Sequence, residues 1–410
     1  MRWWSRLTVR GRITGLIGML VAAVSWWFGE LDLFWLGAFA VAVVVCALIM
    51  ASWPVHGLGH VRRVPVGTVP IGTRFTVQVK VARPHRAWPR LLHFEDVVPP
   101  SLGSRPRFAV LSVLGDEGQE FRYSLTGTRR GRHRIGPLLV RSLDPFGMAR
   151  NDMAFATVTE IAVTPRVHQL GRLQIGAAGA ASDTSISTAG LVGQDEVLLR
   201  EYRPGDDVRR VHWRSSARVG SLMVRREEQA WQPNARIIID NRYGAHAGRG
   251  PGASFEWAVS AAASIGMALL NNGCAFEMSD ATGPLLGREA DRTVYTQQLL
   301  EALTDISLVK SASLNLEPVG HDRRQGEAII AVLGRLGTQD LASLMDARPG
   351  SGTAHALVLD SDTFGGGAPD PQQARLAGLL REHGWTVVSV DAELSIPRAW
   401  QLLHEARAVA

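Results

Sequence analysis

The chain has 410 residues, enough for two or three domains, and its 46% apolar and 20% charged residues are typical of folded proteins rather than disordered ones. A formal charge of +6 indicates a mildly basic surface, which suits lipid headgroups, RNA or acidic protein faces without selecting among them. The two cysteines argue against a disulfide framework, and no Cys/His cluster has the spacing of a zinc site.

Residues 1–55 predict a transmembrane hairpin with spans at about 13–29 and 33–50, because neither run contains a charge and each is long enough to cross a bilayer. Arginines precede the first span and follow the second, whereas the turn between them carries only acids. The positive-inside rule therefore predicts a two-pass protein of the cell membrane with both termini and the soluble domains in the cytoplasm. A cleaved signal peptide is not favoured, since there are two spans and no small-residue cleavage site follows the first.

Residues 61–168 predict a β-sandwich. Segments such as 75–82, 121–127, 132–143 and 156–165 alternate apolar and polar residues as half-buried strands do, and no useful helical period appears among them. About seven short strands in this length are typical of a sandwich. Residues 171–196, rich in Gly, Ala, Ser and Thr, predict a flexible linker.

Residues 232–410 predict an α/β domain with a doubly wound, mostly parallel sheet, because strand and helix patterns alternate along them. Ligands of such sheets bind at the carboxyl ends of the strands. Five of the aspartates there could form a cation site or could cap turns and helices: Asp240, Asp280, Asp360, Asp362 and Asp391. Capping is favoured, since Arg242 follows Asp240 closely and would place a positive charge where a cation would lie. No metal and no cofactor is expected.

The arginine-rich segment 197–231 admits three interpretations: an active site, a nucleic-acid contact or a structural brace. It predicts a short helix over about 207–218 and a strand over 221–229. Its stretch from 200 to 229 has eight arginines and five carboxylates, a surplus of only three, which favours internal ion pairing over binding of nucleic acid. His212 is the one candidate for a catalytic base, and no nucleophile, base and orienting residue can be assembled around it.

The sequence resembles the bacterial family called domain of unknown function 58, through two motifs. The family signature is represented by Arg200, Glu201, Tyr202, Pro204, Gly205, Asp206, Arg209, His212, Trp213, Arg214, Ser216, Ala217 and Arg218. The second motif is represented by Arg130, Gly131, Gly136, Pro137, Asp144, Pro145, Phe146 and Gly147.

The resemblance implies a membrane-bound protein that faces the cytoplasm, has no established enzymatic activity, and ends in a von Willebrand factor A-like domain. It also implies a MoxR-type AAA+ ATPase as partner, in some cases with a transglutaminase-like membrane protein. Many relatives carry an Asp-x-Ser-x-Ser cation motif where this chain has a degenerate position at Asp240, Arg242 and Gly244. This departure argues against metal-dependent ligand binding.

The sequence therefore predicts a membrane-anchored adaptor without catalytic activity, which binds the bilayer through residues 13–50 and recruits an AAA+ ATPase. The signature residues would act in docking, and no nucleic-acid partner is expected. The alternatives are a hydrolase with a site near His212 and Asp206, or binding of anionic lipid or RNA by the arginine-rich segment.

Overall fold

The computed structural model describes residues 4–52, 58–65, 67–82, 91–111, 118–171, 198–201, 213–226, 234–287, 291–311, 313–314, 316, 328–348 and 352–409. The chain forms two compact units. The first consists of Met1–Val167, Arg249–Ala263 and Gln297–Ser307, and the second of His168–Gly248, Ser264–Thr296 and Leu308–Ala410. The predicted linker falls outside the described residues, apart from Gly171.

Two long apolar helices open the first unit: α1 (Val9–Phe28) and α2 (Leu31–Ser52). The Thr8 hydroxyl caps α1 by accepting a hydrogen bond from the Gly11 amide at 3.2 Å. The helices pack closely at Gly37, where a Cβ would lie 2.6 Å from the Ala22 amide nitrogen and 2.7 Å from the Gly18 carbonyl oxygen. Both helices are long and apolar enough to cross a membrane, which agrees with the predicted hairpin. Each extends beyond its predicted span, and α1 begins four residues earlier than expected.

The rest of the first unit is rich in β-structure. Ten strands lie in its described residues: β1 (Gly59–Arg63), β2 (Thr68–Pro70), β3 (Arg74–Ala82), β4 (Leu91–Asp96), β5 (Arg107–Leu111), β6 (Gln119–Thr126), β7 (Gly131–Ile135), β8 (Leu138–Leu143), β9 (Arg150–Phe155) and β10 (Thr159–Thr164). They form three sheets, with the orders β1-β3-β6, β2-β10-β7 and β5-β4-β8-β9. The predicted count of about seven strands was too low.

One apolar core serves all three sheets. It contains inward residues of β3, β4, β8 and β10, among them Val79, Phe94, Val140 and Val163, all at most 1% exposed. The predicted continuous strand 132–143 is wrong, because Gly136 and Pro137 separate β7, which pairs with β10, from β8, which pairs with β4 and β9. Gly136 has φ +114°, a conformation that other residues rarely adopt.

The remaining elements follow residue 197: β11 (Leu198–Glu201), α3 (Trp213–Val219), β12 (Met223–Arg226), β13 (Asn234–Ile239), α4 (Ser254–Asn271), β14 (Ala275–Asp280), β15 (Gly283–Leu286), α5 (Arg292–Asp305), β16 (Ala328–Leu333), α6 (Thr338–Ala347), β17 (Ala354–Leu359), α7 (Ser361–Phe364), α8 (Pro371–Glu382), β18 (Thr386–Val390) and α9 (Ile396–Val409). The predicted alternation of strands and helices is confirmed. The predicted strand 354–362 was too long, because α7 begins at Ser361. β15, an antiparallel edge strand, was missed.

Six of these strands form one sheet with the order β15-β14-β13-β16-β17-β18, and all except β15 are parallel to their neighbours. Its strands bury Ala331 and Val358 against Leu344 of α6 and Leu380 of α8, and all four side chains are at most 2% exposed. The chain passes from β13 to β14 on one side, whereas β16 lies on the other. The strand order therefore reverses between β13 and β16, where open α/β sheets place their binding sites.

Candidate functional site: two family motifs and the strand-end cluster

The described part of the signature is a small strand–helix–strand unit. β11 pairs antiparallel with β12, with Arg200 opposite Val224 and Glu201 opposite Met223. Tyr202, Pro204, Gly205, Asp206, Arg209 and His212 lie outside the described residues, and so do the helix start predicted at 207 and the site near His212 and Asp206. The predicted strand 221–229 is represented by β12, and the predicted helix by α3, which ends one residue later than expected.

Ser216 holds α3 against β12. Its hydroxyl oxygen accepts a hydrogen bond from the Met223 amide at 2.8 Å, and its carbonyl accepts one from Gly220 at 2.9 Å. Gly220 ends the helix with φ +79°, a common helix-terminating conformation. The signature serine is therefore a structural residue of this turn.

Other signature residues are exposed. Trp213 is 65% exposed, and the neighbouring Val219 and Leu222 are 62% and 44% exposed. Arg214, Ala217 and Arg218 are also exposed. We call Trp213, Arg214, Arg218, Val219 and Leu222 the signature surface. Trp213 and the two neighbouring arginines are residue types that are enriched in protein interfaces.

Arg130, the first residue of the second motif, has a buried side chain in the first unit. The Arg130 side chain is 6% exposed; it donates to the Ile306 carbonyl at 2.9 Å, lies 3.4 Å from the Glu256 carboxylate, and stacks over the Phe255 ring. Burial lowers the pKa of Arg130, and the Glu256 charge acts against that shift. Arg130 thus joins residues that are far apart in the sequence, as a structural arginine does.

Gly136 of the same motif gives room to a buried ion pair that the sequence did not reveal. Arg62 donates two hydrogen bonds to Asp96, at 2.6 and 3.0 Å, and one to the Ile135 carbonyl at 3.0 Å. A Cβ at Gly136 would lie 3.0 Å from the Arg62 guanidinium. The Tyr123 hydroxyl donates to Asp96 at 2.5 Å, and burial, with this carboxylate, raises the pKa of the phenol.

The second half of the motif, residues 144–147, forms a turn that Asp144 organises. Its buried carboxylate accepts hydrogen bonds from the Phe146 amide at 2.9 Å and the Ala149 amide at 2.5 Å. Gly147 has φ +66°. We call residues 144–147 the motif loop. Its outer residues, Pro145 and Phe146, are exposed, Phe146 to 56%.

At the reversal point of the six-stranded sheet, Arg242 lies between two buried carboxylates. It donates to Asp240 at 2.9 and 2.8 Å, and to both oxygens of Asp340 at 2.9 Å; the two carboxylate side chains are at most 3% exposed. Burial acts to lower the pKa of Arg242, but the hydrogen bonds and charges of the two aspartates outweigh it and raise the pKa. The guanidinium thus occupies the position that the sequence considered for a cation.

The remaining hydrogen-bonding positions of these two carboxylates are also used. Asp240 accepts from the Arg242 amide at 3.0 Å and the Gly334 amide at 3.2 Å, and Asp340 accepts from the Gly337 amide at 2.8 Å. An open cavity of about 410 Å³ adjoins the cluster and is lined by residues from the ends of β13 and β16. The buried cluster forms one wall of this cavity.

Two of the strand-end aspartates cap turns, as the sequence favoured, and two others make longer-range contacts. Asp280 accepts from the Thr282 amide and hydroxyl at 2.7 and 2.6 Å, and Asp391 from the Glu393 amide at 3.0 Å. Asp360 accepts from the Asp370 amide at 3.0 Å, and Asp362 pairs with Arg335. Of these contacts, the Asp362–Arg335 pair adjoins the cavity, because Arg335 is one of its lining residues.

Sequence reasoning missed Asp340, because it follows Arg242 by almost a hundred residues. The available signal was its place in the first turn of α6, three residues after Gly337, where a carboxylate caps backbone amides. A larger open groove of about 920 Å³ in the first unit was also missed. Its Arg107 and Arg141 pair with Glu95 and Asp152 at 2.9 and 2.7 Å, so the charges of this groove are largely neutralised.

Comparison with solved structures gives weak likenesses. A conjugative transposon lipoprotein from Bacteroides eggerthii is 14% identical, covers 25% of this chain and 99% of its own, and has a TM-score of 0.16. Superoxide reductase (neelaredoxin) from Ignicoccus hospitalis is 15% identical, covers 26% and 82%, and has a TM-score of 0.16. Macromomycin is 14% identical, covers 24% and 98%, and has a TM-score of 0.11. At such scores these likenesses carry no argument about fold or function.

No curated protein matches the chain. The family described as "Protein of unknown function DUF58" matches residues 198–294, a range that contains α3, β12, β13 and the Asp240–Arg242 pair. The resemblance drawn from the family signature is thereby confirmed over residues 198–294, and the second motif lies outside the matched range.

Proposed function

We propose that the protein is a membrane-anchored adaptor that binds a cytoplasmic partner through the signature surface and has no catalytic activity of its own. The observation that carries this proposal is the contrast between two sites. The strand-end cluster uses Arg242, Asp240 and Asp340 to satisfy one another, whereas the signature surface exposes Trp213 to 65%. An exposed tryptophan near arginines is the composition of an interface hot spot.

The anchor in this proposal consists of α1 and α2, which are 20 and 22 residues long. At 1.5 Å per residue each is about 30 Å long, which matches the hydrocarbon core of a bilayer. Arginines at positions 10 and 12, in the first turns of α1, and at 62, after α2, favour placing both ends of the hairpin and the following domains in the cytoplasm.

The finer fold assignments also belong to this proposal. The core shared by the β1–β10 sheets supports a β-sandwich. The parallel sheet with its antiparallel edge strand β15, and an aspartate at the end of β13, support a von Willebrand factor A-like domain. In this chain Arg242 stands where relatives of that fold hold a cation, so we propose that partner binding here does not depend on a metal.

The partner we propose is an AAA+ ATPase of the MoxR type, on the strength of the family resemblance, with a transglutaminase-like membrane protein as a further component. The test uses the full chain in nanodiscs and the purified MoxR-type ATPase of the same organism. Binding is measured with and without ATP and magnesium. We expect binding in one nucleotide state, and about tenfold or greater loss of affinity for Trp213→Ala.

The matched control is Leu379→Ala, an exposed apolar residue of α8 in the same unit, 40% exposed. Both truncations are at the surface and are expected to change stability by about 0.5 kcal/mol or less. Equal affinities for the two variants would contradict docking at the signature surface. If RNA or anionic lipid bound instead, with a steep loss on adding salt, the basic-segment alternative would replace the adaptor proposal.

A further inference from the structure

The motif loop is fixed to the start of the membrane hairpin. The Thr8 amide donates to the Met148 carbonyl at 2.9 Å, and the Thr8 hydroxyl donates to the Gly147 carbonyl at 2.8 Å. Leu7 and Ala149 form an isolated antiparallel bridge. Gly11, in the first turn of α1, lies so close to the Met148 carbonyl oxygen that a Cβ there would collide with it. The β-rich region therefore contacts α1 directly.

The end of α2 belongs to the same contact. Ala47 and Ala51 of α2 pack with Ala149, and all three are at most 3% exposed. The Arg6 guanidinium donates to the Ser52 hydroxyl at 3.0 Å, which joins the start of one helix to the end of the other. The motif loop is thus held at the ends of both helices that lie opposite their acidic turn.

The level of the loop relative to a bilayer follows from these contacts. If α1 spans the hydrocarbon core, its first residue, Val9, lies near the headgroup boundary, because the length of the helix equals the core thickness. Gly147 is hydrogen-bonded to Thr8, and Phe146 is the adjacent residue, so the Phe146 Cα lies about 4 Å from that of Gly147. Phe146 is then at headgroup level.

The chemistry of the surroundings matches a bilayer surface with anionic lipids. Phe146 is 56% exposed and sits at a turn that Asp144 holds in shape. Arg10 is exposed in the first turn of α1, and Arg150, which begins β9, has a side chain 41% exposed. Exposed Phe side chains occur on the apolar face of interfacial membrane elements, and arginines are attracted to anionic headgroups.

We infer that the motif loop is a membrane-contacting element, in which Phe146 inserts into the headgroup layer of an anionic bilayer beside the start of α1. This inference rests on the proposed membrane anchoring. It assigns a role to the second family motif: Asp144 and Gly147 shape the turn, Thr8 attaches it to the hairpin, and Phe146 touches lipid.

The test compares spin labels at two positions of the full chain in nanodiscs that contain phosphatidylglycerol. Both labelled variants are made in a background of Cys46→Ala and Cys274→Ala. Phe146→Cys carries the test label, and Val158→Cys carries the control label. Val158 is 47% exposed and follows β9, whose six residues extend for about 20 Å from the end near the motif loop. Each label is measured for collisions with oxygen, which is concentrated in lipid, and with a water-soluble nickel complex.

We expect the label at 146 to collide severalfold more with oxygen than with the nickel complex, and the label at 158 to show the reverse. Two water-exposed labels on a chain that stays with the nanodisc would overturn the loop contact and leave the anchoring intact. Two lipid-exposed labels would overturn the assignment to the motif loop. A chain that separates from the nanodiscs would overturn the anchoring, and the inference would fall with it.

Discussion

Replacing Arg242 with methionine should destabilise the six-stranded sheet strongly. The variant keeps a side chain of similar length but leaves Asp240 and Asp340, which are 0% and 3% exposed, without their shared cation. Removing one partner of a buried ion pair costs about 3–5 kcal/mol, because the remaining charge stays buried without compensation. The cost here belongs at the upper end of that range, since one guanidinium serves two carboxylates.

Hydrogen exchange of the full chain in nanodiscs measures the loss of stability in the six-stranded sheet, strand by strand. Amides of β13 and β16 should exchange on the order of a hundred- to a few-thousandfold faster in Arg242→Met, since each 1.4 kcal/mol is about a factor of ten. The matched control is Arg236→Met on the same strand, whose ion pair with Glu277 is partly exposed, at 18% and 32%. A partly exposed pair contributes about 1 kcal/mol or less.

A second comparison isolates the charge effect. The triple variant Asp240→Asn, Arg242→Met and Asp340→Asn has no buried charge in the cluster, so it should be more stable than Arg242→Met alone. Exchange in Arg242→Met no faster than in Arg236→Met would refute the view that Arg242 holds the strand ends together. A triple variant less stable than the single one would show that packing, rather than charge, sets the cost.

Three further predictions concern other parts of the chain. Asp96→Asn should cost about 3 kcal/mol in the β-rich region by leaving the buried Arg62 charge unpaired, which exchange of the β4 amides would report. Gly11→Ala should increase exchange of the Ala149 amide because its Cβ meets a carbonyl oxygen, whereas Gly15→Ala on the same helix, with neighbours at 3.7 Å, should not. Burial lowers the pKa of His246, so the folded state binds fewer protons than the unfolded state. The stability present above the ordinary pKa of 6.5 should therefore fall as the pH drops below it. Thermal unfolding at several pH values should show that the variant His246→Asn lacks this contribution.

Local patterns predicted the secondary structure well where apolar periodicity is strong. The strands and helices after residue 232 lie within a few residues of their predicted bounds, except that β15 and α7 were missed, because a four-residue element has too little periodicity to detect. Arg10 and Arg12 were predicted to precede the first span, and the structure places both in the first turns of α1, which begins four residues before that span.

The site could be predicted only in part, because its decisive contacts join distant residues. Arg242 was expected to place its positive charge where a cation would lie, and the structure pairs it with Asp240, only two positions away. The second partner, Asp340, is brought in by the pairing of β13 with β16, which no local pattern encodes. In the same way, nothing in the sequence distinguishes Gly11 from other helix glycines, and only the structure shows that it lies against Met148.

The most direct test of the adaptor account is site-specific crosslinking from the signature surface. A photoreactive amino acid replaces Trp213 in the full chain, and the same amino acid replaces Leu379 as the control. Both versions are reconstituted in nanodiscs with the MoxR-type ATPase of the same organism, with and without ATP and magnesium. The account predicts a nucleotide-dependent crosslink to the ATPase from position 213 and none from 379. Crosslinks of equal yield from both positions, or none from either in any nucleotide state, would contradict it.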